Sequence, residues 1–105
     1  MRFVELLNLT ALDRAIRKYR DAKTWLSQWS QVVQAASWQN IQELRRDYPS
    51  TDGVKLKSQV VVTVFNVKGN SYRLLAVVDY SAQRVYVAAV LTHAEYNKNQ
   101  WKEQL

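Results

Sequence analysis

Cysteine is absent from this chain, and proline, histidine and methionine occur once each. Without cysteine there is no disulfide framework and no thiolate metal site, and nothing demands an oxidising compartment, so a cytoplasmic address is expected. Two glycines and one proline leave no room for a low-complexity linker or a disordered tail. They also cannot supply the glycine spacing of a phosphate-cradling P-loop. No apolar run approaches the ~20 residues that cross a bilayer, so no membrane association is expected. The opening Met1–Leu7 is too short and too interrupted for a signal peptide. One histidine and no cysteine leave too few ligands for a transition metal, so neither a metal nor another cofactor is expected. No nucleophile-elbow sequence supports hydrolysis of the Ser-His-Asp kind.

What remains is a chain of 105 residues, 48% hydrophobic and 23% charged, with the size and balance of a single globular domain spanning residues 1–105. Its net charge is +6, unevenly spread. Residues 1–53 carry eight Lys and Arg against six Asp and Glu, and residues 54–105 carry seven against three. The excess therefore lies mostly in the second half, on Lys55, Lys57, Lys68, Arg73, Arg84, Lys98 and Lys102. Such an excess attracts polyanions through salt-sensitive forces, and it equally serves solubility.

The first half has helical periodicity. Thr10 with Asp13 forms a loose capping pattern ahead of Leu12, Ile16 and Tyr19 on one face. A second helix is expected from about Asp21 to Ala36, with Trp25, Leu26, Trp29, Val32, Val33 and Ala36 in one broad stripe. Asn40 and Glu43 form a capping box for a third helix, in which the Glu43 carboxylate reaches back to the cap amide. That helix must stop by Tyr48, because Pro49 disfavours helical geometry in the residue before it.

From about Val54 the period changes to two. Val60–Val67, Tyr72–Tyr80 and Arg84–Thr92 have the β-branched and aromatic content of strands. Lys68-Gly69-Asn70-Ser71 makes a hairpin turn. Arg73, Leu75, Val77 and Asp79 point one way along the middle strand, and Tyr72, Leu74, Ala76, Val78 and Tyr80 the other. Helices followed by an antiparallel meander define an α+β sandwich of two layers.

Thr92-His93-Ala94-Glu95-Tyr96 holds the chain's only histidine at the end of the last strand. One reaction class needs little more than proton exchange and positive charge: metal-independent cleavage of RNA, in which the 2′-hydroxyl attacks the adjacent phosphorus. His93 is the candidate for proton exchange, although the same position suits a helix-capping imidazole. Arg73 can grip a phosphate with its planar fork or pair with Asp79 or Glu95. Tyr96 shares a helical face with His93 and can stack on a base, donate its hydroxyl or close over the core. Lys98 adds charge nearby, and Trp101 either stacks on a nucleobase or docks the C-terminus on the sheet.

Taken in order, these residues resemble the HigB family of toxins from bacterial toxin–antitoxin modules, within the RelE-like superfamily. The resemblance lies in SWQNIQELRRDYPSTD at 37–52, VFNVKGNSYRLLAVVDY at 64–80 and VYVAAVLTHAEYNK at 85–98, and more loosely in KYRDAKTWL within 10–26. The pairing of FN-x-x-GN-x-x-R with THAEY carries most of it. It implies a RelE-like fold: N-terminal helices on one face of a twisted antiparallel sheet, a short C-terminal helix and a short first strand at Arg2–Glu5. It also implies an endoribonuclease that cuts mRNA on the translating ribosome, neutralised by a helix-turn-helix antitoxin of HigA type.

Carried across residue by residue, Asn66, Gly69, Asn70 and Arg73 match the hairpin motif, and Thr92, His93, Glu95 and Tyr96 the terminal one. The site expected is thus Arg73, His93 and Tyr96 for catalysis, with Lys55, Lys57, Lys68, Asn70 and Lys98 for RNA. Relatives commonly have an acid after the tyrosine, where this chain has Asn97. Two rivals remain at this stage: a toxin of the same fold that blocks a protein such as gyrase, and an RNA-binding module without cleavage.

Overall fold

Alternating apolar residues in the second half build the middle of one five-stranded sheet, and the helices of the first half cover one of its faces. The structure is a computed structural model that describes residues 4–105. Strands β1 (Glu5–Leu7), β2 (Asp52–Lys55), β3 (Val61–Val67), β4 (Tyr72–Asp79) and β5 (Arg84–Thr92) lie in the order β1-β5-β4-β3-β2. The last four are antiparallel neighbours, whereas β1 runs parallel to β5. The sheet is therefore mixed rather than wholly antiparallel. A parallel pair needs a long connection, and here the entire helical layer and three strands separate its members. The first strand also lies further along than Arg2–Glu5, whose first two residues, with Met1, fall outside the described residues.

The helices are α1 (Leu9–Lys18), a 3-10 turn (Arg20–Ala22), α2 (Lys23–Ala35) and α3 (Ile41–Asp47). Thr10 is not the first cap. Asn8 is, in the left-handed conformation (φ 64°) that asparagine tolerates, with its amide donating to Val87 O at 2.8 Å. Asn40 caps α3 as expected, accepting from the Glu43 amide at 3.0 Å. The Glu43 carboxylate instead accepts from the amide of Gln39, one residue before the cap. The helix ends against Tyr48, as Pro49 requires.

Leu12, Ala15, Leu26, Trp29, Val33 and Leu44 pack against Phe65, Val67, Leu74, Ala76, Val85 and Val87 to form the main core. The Trp29 ring meets Phe65 edge-on at 5.4 Å, and each is essentially inaccessible to water. Burying a large apolar side chain stabilises by roughly 2–3 kcal/mol.

The opposite face of the sheet is not bare. Two short helices, α4 (His93–Asn97) and α5 (Trp101–Gln104), follow β5, and Trp101 closes a second apolar cluster with Leu56, Val62, Val64 and Leu75. The two-layer expectation thus gains a partial third layer. Trp101 is 4% exposed, so it docks the C-terminus and is not free to stack on a base.

One irregularity decides which way the end of β5 points. Leu75 pairs with Ala89 and Ala76 with Val87, so Ala88 is an extra residue in the strand. Before it, Val85 and Val87 face the helices. Beyond it the parity is reversed. Val90 joins the main core, while Leu91 joins the second cluster directly opposite Arg73. A regular strand would have sent Leu91 and His93 to the helical side.

Candidate active site

The hairpin from β3 to β4 and the junction of β5 with α4 meet at one end of the sheet. Lys68 and Gly69 take the positive φ angles of the turn (51° and 66°), and the His93 amide donates to Ser71 O at 3.1 Å, prolonging the strand ladder into the helix. Thr92 then caps α4. Its hydroxyl accepts from the Glu95 amide at 3.1 Å, and the Glu95 carboxylate accepts from the Thr92 amide at 2.9 Å. That amide, first among the causes, holds the Glu95 carboxyl below its usual range. The reciprocal bonds fix where α4 starts and hence where its side chains aim.

Arg73 stands at the centre. It is 8% exposed, yet no carboxylate pairs with it among the described residues. Asp79 instead accepts from Ser81 and the Ala82 amide, and Glu95 is committed to its cap. The guanidinium donates to Tyr72 O at 3.0 Å and to Asn70 Oδ1 at 3.4 Å, and its Nη2 lies 3.1 Å from His93 Nδ1. Its carbon sits 5.7 Å over the Tyr96 ring, in cation–π range. Burying a guanidinium without a counter-charge is costly, and a bound anion would complete its partners.

His93 itself is exposed, and the Asn97 carboxamide is 3.0 Å from its Nε2. Tyr96 is half-buried and lies parallel to Trp101, with centroids 5.3 Å apart. Burial pushes its phenol pKa up, Asp52 adds to that and Arg73 opposes it, so the hydroxyl remains a proton donor at neutral pH. With Trp101 on the ring and Arg73 over it, Tyr96 offers its hydroxyl edge rather than a free stacking face.

The expected basic residues divide. Asn70 touches Arg73, and Lys98 borders a shallow hollow of about 220 Å³ with Leu91, Glu95 and Trp101. Lys68 turns to Asp21 at 3.2 Å, and Lys57 lies 3.8 Å from Glu103 at the surface. Lys55 lies away from this site. Its neighbour Val54 packs on the second cluster, so the strand pleat sends Lys55 to the opposite face of the sheet.

A further group escaped the sequence reading. Arg17, Arg20 and Lys23 line a depression of about 330 Å³ beside Ile16, and none has an ion-pair partner among the described residues. The charge count of the first half concealed it, because acids elsewhere in those residues offset it. Neighbouring Lys18 lies close enough to Glu95 to lower its carboxyl pKa, and Tyr19 donates to that carboxylate at 3.4 Å. The cluster thus approaches the site through α4. Among the described residues, no three His, Asp or Glu side chains converge.

A mixed α+β fold with this pair of motifs at the sheet's end defines a RelE-like protein. Residues 22–99 match the model of the HigB toxins, described as the RelE-like toxic component of a toxin–antitoxin system. The chain is 32% identical over 94 residues to the mRNA interferase toxin HigB of Escherichia coli K12, covering 90% of this chain and 88% of that protein. It is 24% identical to the mRNA interferase HigB of Escherichia coli O6:H1, covering 90% of each. The chain belongs to the HigB toxin family. As the toxic member of a two-component system it implies an antitoxin partner. No helix among the described residues is long and apolar enough to cross a membrane.

Proposed function

We propose that this chain is a cytoplasmic, metal-independent mRNA endoribonuclease that acts on the translating ribosome and is neutralised by a helix-turn-helix antitoxin of HigA type. One observation carries the reading: a buried guanidinium without a carboxylate partner, Arg73, lies 3.1 Å from the exposed ring of the chain's only histidine. A phosphate-binding group beside a proton-exchanging group is the minimum that cleavage by a 2′-hydroxyl needs. The relatives, which are mRNA interferases, supply the substrate class.

In this mechanism the RNA provides its own nucleophile. Arg73 neutralises the charge that develops on the phosphorane, with Asn70 holding the guanidinium in place. His93 exchanges a proton with the sugar or leaving oxygen. The Tyr96 hydroxyl orients a base or assists His93, and Lys98 adds positive potential beside the hollow. A toxin that only obstructs a protein, or a domain that only binds RNA, has no use for an imidazole set against the phosphate-binding group.

The test is induction of the wild type, Arg73→Ala and His93→Ala, with new 5′ ends mapped on cellular transcripts. The wild type should produce internal breaks and arrest translation before DNA replication, and both variants should produce none while remaining folded. Growth arrest without new 5′ ends, or undiminished breakage by a folded His93→Ala protein, would remove this mechanism.

A further inference from the structure

Both nitrogens of the His93 ring have a hydrogen-bonding neighbour, and the two neighbours together constrain its protonation. Arg73 Nη2 lies 3.1 Å from Nδ1, and Asn97 Nδ2 lies 3.0 Å from Nε2. A guanidinium can only donate, so Nδ1 must present its lone pair. A neutral ring that accepts at Nδ1 carries its hydrogen on Nε2, and that hydrogen needs an acceptor. As placed, the Asn97 carboxamide turns its Nδ2 to that hydrogen, donor against donor, and a half-turn about its last side-chain bond puts Oδ1 there as the acceptor. Asn97 reaches the ring because it stands four residues after His93, on the same face of α4.

We infer that Asn97 is a positioning residue that fixes His93 as the Nε2–H tautomer, which makes Nδ1 the atom that exchanges protons with RNA. The inference rests on the ribonuclease reading above. In the free protein the Nδ1 lone pair is covered by Arg73. A scissile phosphate, being a far better partner for a guanidinium than a neutral imidazole, takes the place of the ring at Nη2 and uncovers Nδ1, while Tyr72 O and Asn70 keep the guanidinium anchored.

The step then balances with a single ring. An electron pair of the 2′-oxygen forms the bond to phosphorus while Nδ1 takes the 2′-hydroxyl proton. The ring is now protonated on both nitrogens, and Asn97 Oδ1 stabilises the Nε2–H side. The bond from phosphorus to the 5′-oxygen breaks with its electron pair leaving on oxygen, and Nδ1 gives that oxygen the same proton. The products are a 2′,3′-cyclic phosphate and a 5′-hydroxyl, and the ring is neutral again. One imidazole serves both transfers, which suits a chain with one histidine.

Because His93 is the only histidine, ring nitrogen resonances of protein labelled with 15N-histidine report on it alone. The wild type should show Nε2 protonated and Nδ1 bare. Asn97→Ala should show exchange between tautomers, and Asn97→Asp, which keeps an acceptor oxygen, should restore the wild-type pattern. The companion measurement is single-turnover cleavage of an mRNA on programmed ribosomes, titrated with each protein. Asn97→Ala should lower the maximal rate by on the order of 10- to 100-fold, part of what a positioned proton-transfer group supplies. The half-saturating concentration should stay within about twofold, because Asn97 binds no substrate. Asn97→Asp should recover most of the rate.

A wild-type ring protonated at Nδ1, or an Asn97→Ala ring with an unchanged tautomer, overturns the inference whether or not RNA is cut. A fully active Asn97→Ala protein overturns it and leaves the ribonuclease reading standing. A wild type that cuts no RNA overturns that reading and the RNA step together, while the resonances still decide what Asn97 does to the ring.

Discussion

The Tyr72 hydroxyl donates to Asp21 Oδ1 at 2.6 Å, a strut between the 3-10 turn and the strand that carries Arg73. Lys68 reaches the same carboxylate at 3.2 Å, and Tyr19 packs on Tyr72 with centroids 4.6 Å apart. The strut holds down the hairpin from which Asn70 and Arg73 project.

This strut titrates at both ends of the pH scale. The Tyr72 hydrogen bond, ahead of the Lys68 contributions, lowers the Asp21 carboxyl from its usual 3.8. Its contribution to stability is therefore full above that value and lost as pH falls through the depressed folded value. The Tyr72 phenol is raised from 10.0, chiefly by the same bond, so its contribution is full below that value and lost as pH rises through the folded one. Thermal unfolding across a pH series should show both limbs, and Tyr72→Phe should flatten each. Equal limbs in the variant would assign the pH dependence to other groups.

Arg73 should behave as a residue kept for function at the expense of stability. Arg73→Met removes a guanidinium that is 8% exposed and has no carboxylate partner, so no charge is left orphaned. Urea unfolding should find the variant unchanged or more stable by about 1 kcal/mol. Cleavage should fall by roughly 10²- to 10³-fold, as when a preorganised electrostatic partner is lost. A loss of stability above about 2 kcal/mol would make Arg73 a structural residue.

Thr92→Ala tests the cap beneath the site. It removes the hydroxyl that accepts from the Glu95 amide, at an expected cost of about 1 kcal/mol. Activity should fall further than stability, since His93 and Asn97 are the first and last residues of α4. Wild-type α4 should also loosen in acid. The Glu95 carboxyl is held below 4.5, so its support is lost as pH drops through that lowered value. Helix protection followed by amide exchange will show whether the variant frays there.

The depression at Arg17, Arg20 and Lys23 yields a salt test. RNA binding is best measured in a His93→Ala background, where no cleavage intervenes. Changing all three exposed cations to glutamine should reduce the slope of log affinity against log salt by about 2, at ~0.7 per phosphate contact on a single strand. An unchanged slope would take RNA off that surface.

Much of the architecture could be read from local pattern because local chemistry sets it. Arg84–Thr92 is a strand with those same ends, and Asn40 caps a helix that Pro49 halts. The contact of Arg73 with His93 was legible only as two motifs, since their meeting depends on strand register. Nothing in Ala88-Ala89 announces an inserted residue, because two small apolar side chains suit either face. The Asn8 cap was missed because the polar pattern around Thr10 fits a helix start equally well. The grouping of Lys55 with the RNA contacts rests on charge alone, whereas the pleat of β2 sets its side chain on the other face of the sheet from Val54. The role argued for Asn97 needed the positions of both ring nitrogens, which no spacing in the sequence encodes.

The extra residue at Ala88 is spare length that the strand loops out before it aims the imidazole. Loss of that one codon in frame would join Val87 directly to Ala89 in a regular ladder, with Leu91 and His93 still on the faces they now occupy. A gene shorter by that codon would therefore still encode a poison. Genomic surveys that discard copies for a one-residue gap between Arg84 and Thr92 would overlook working genes.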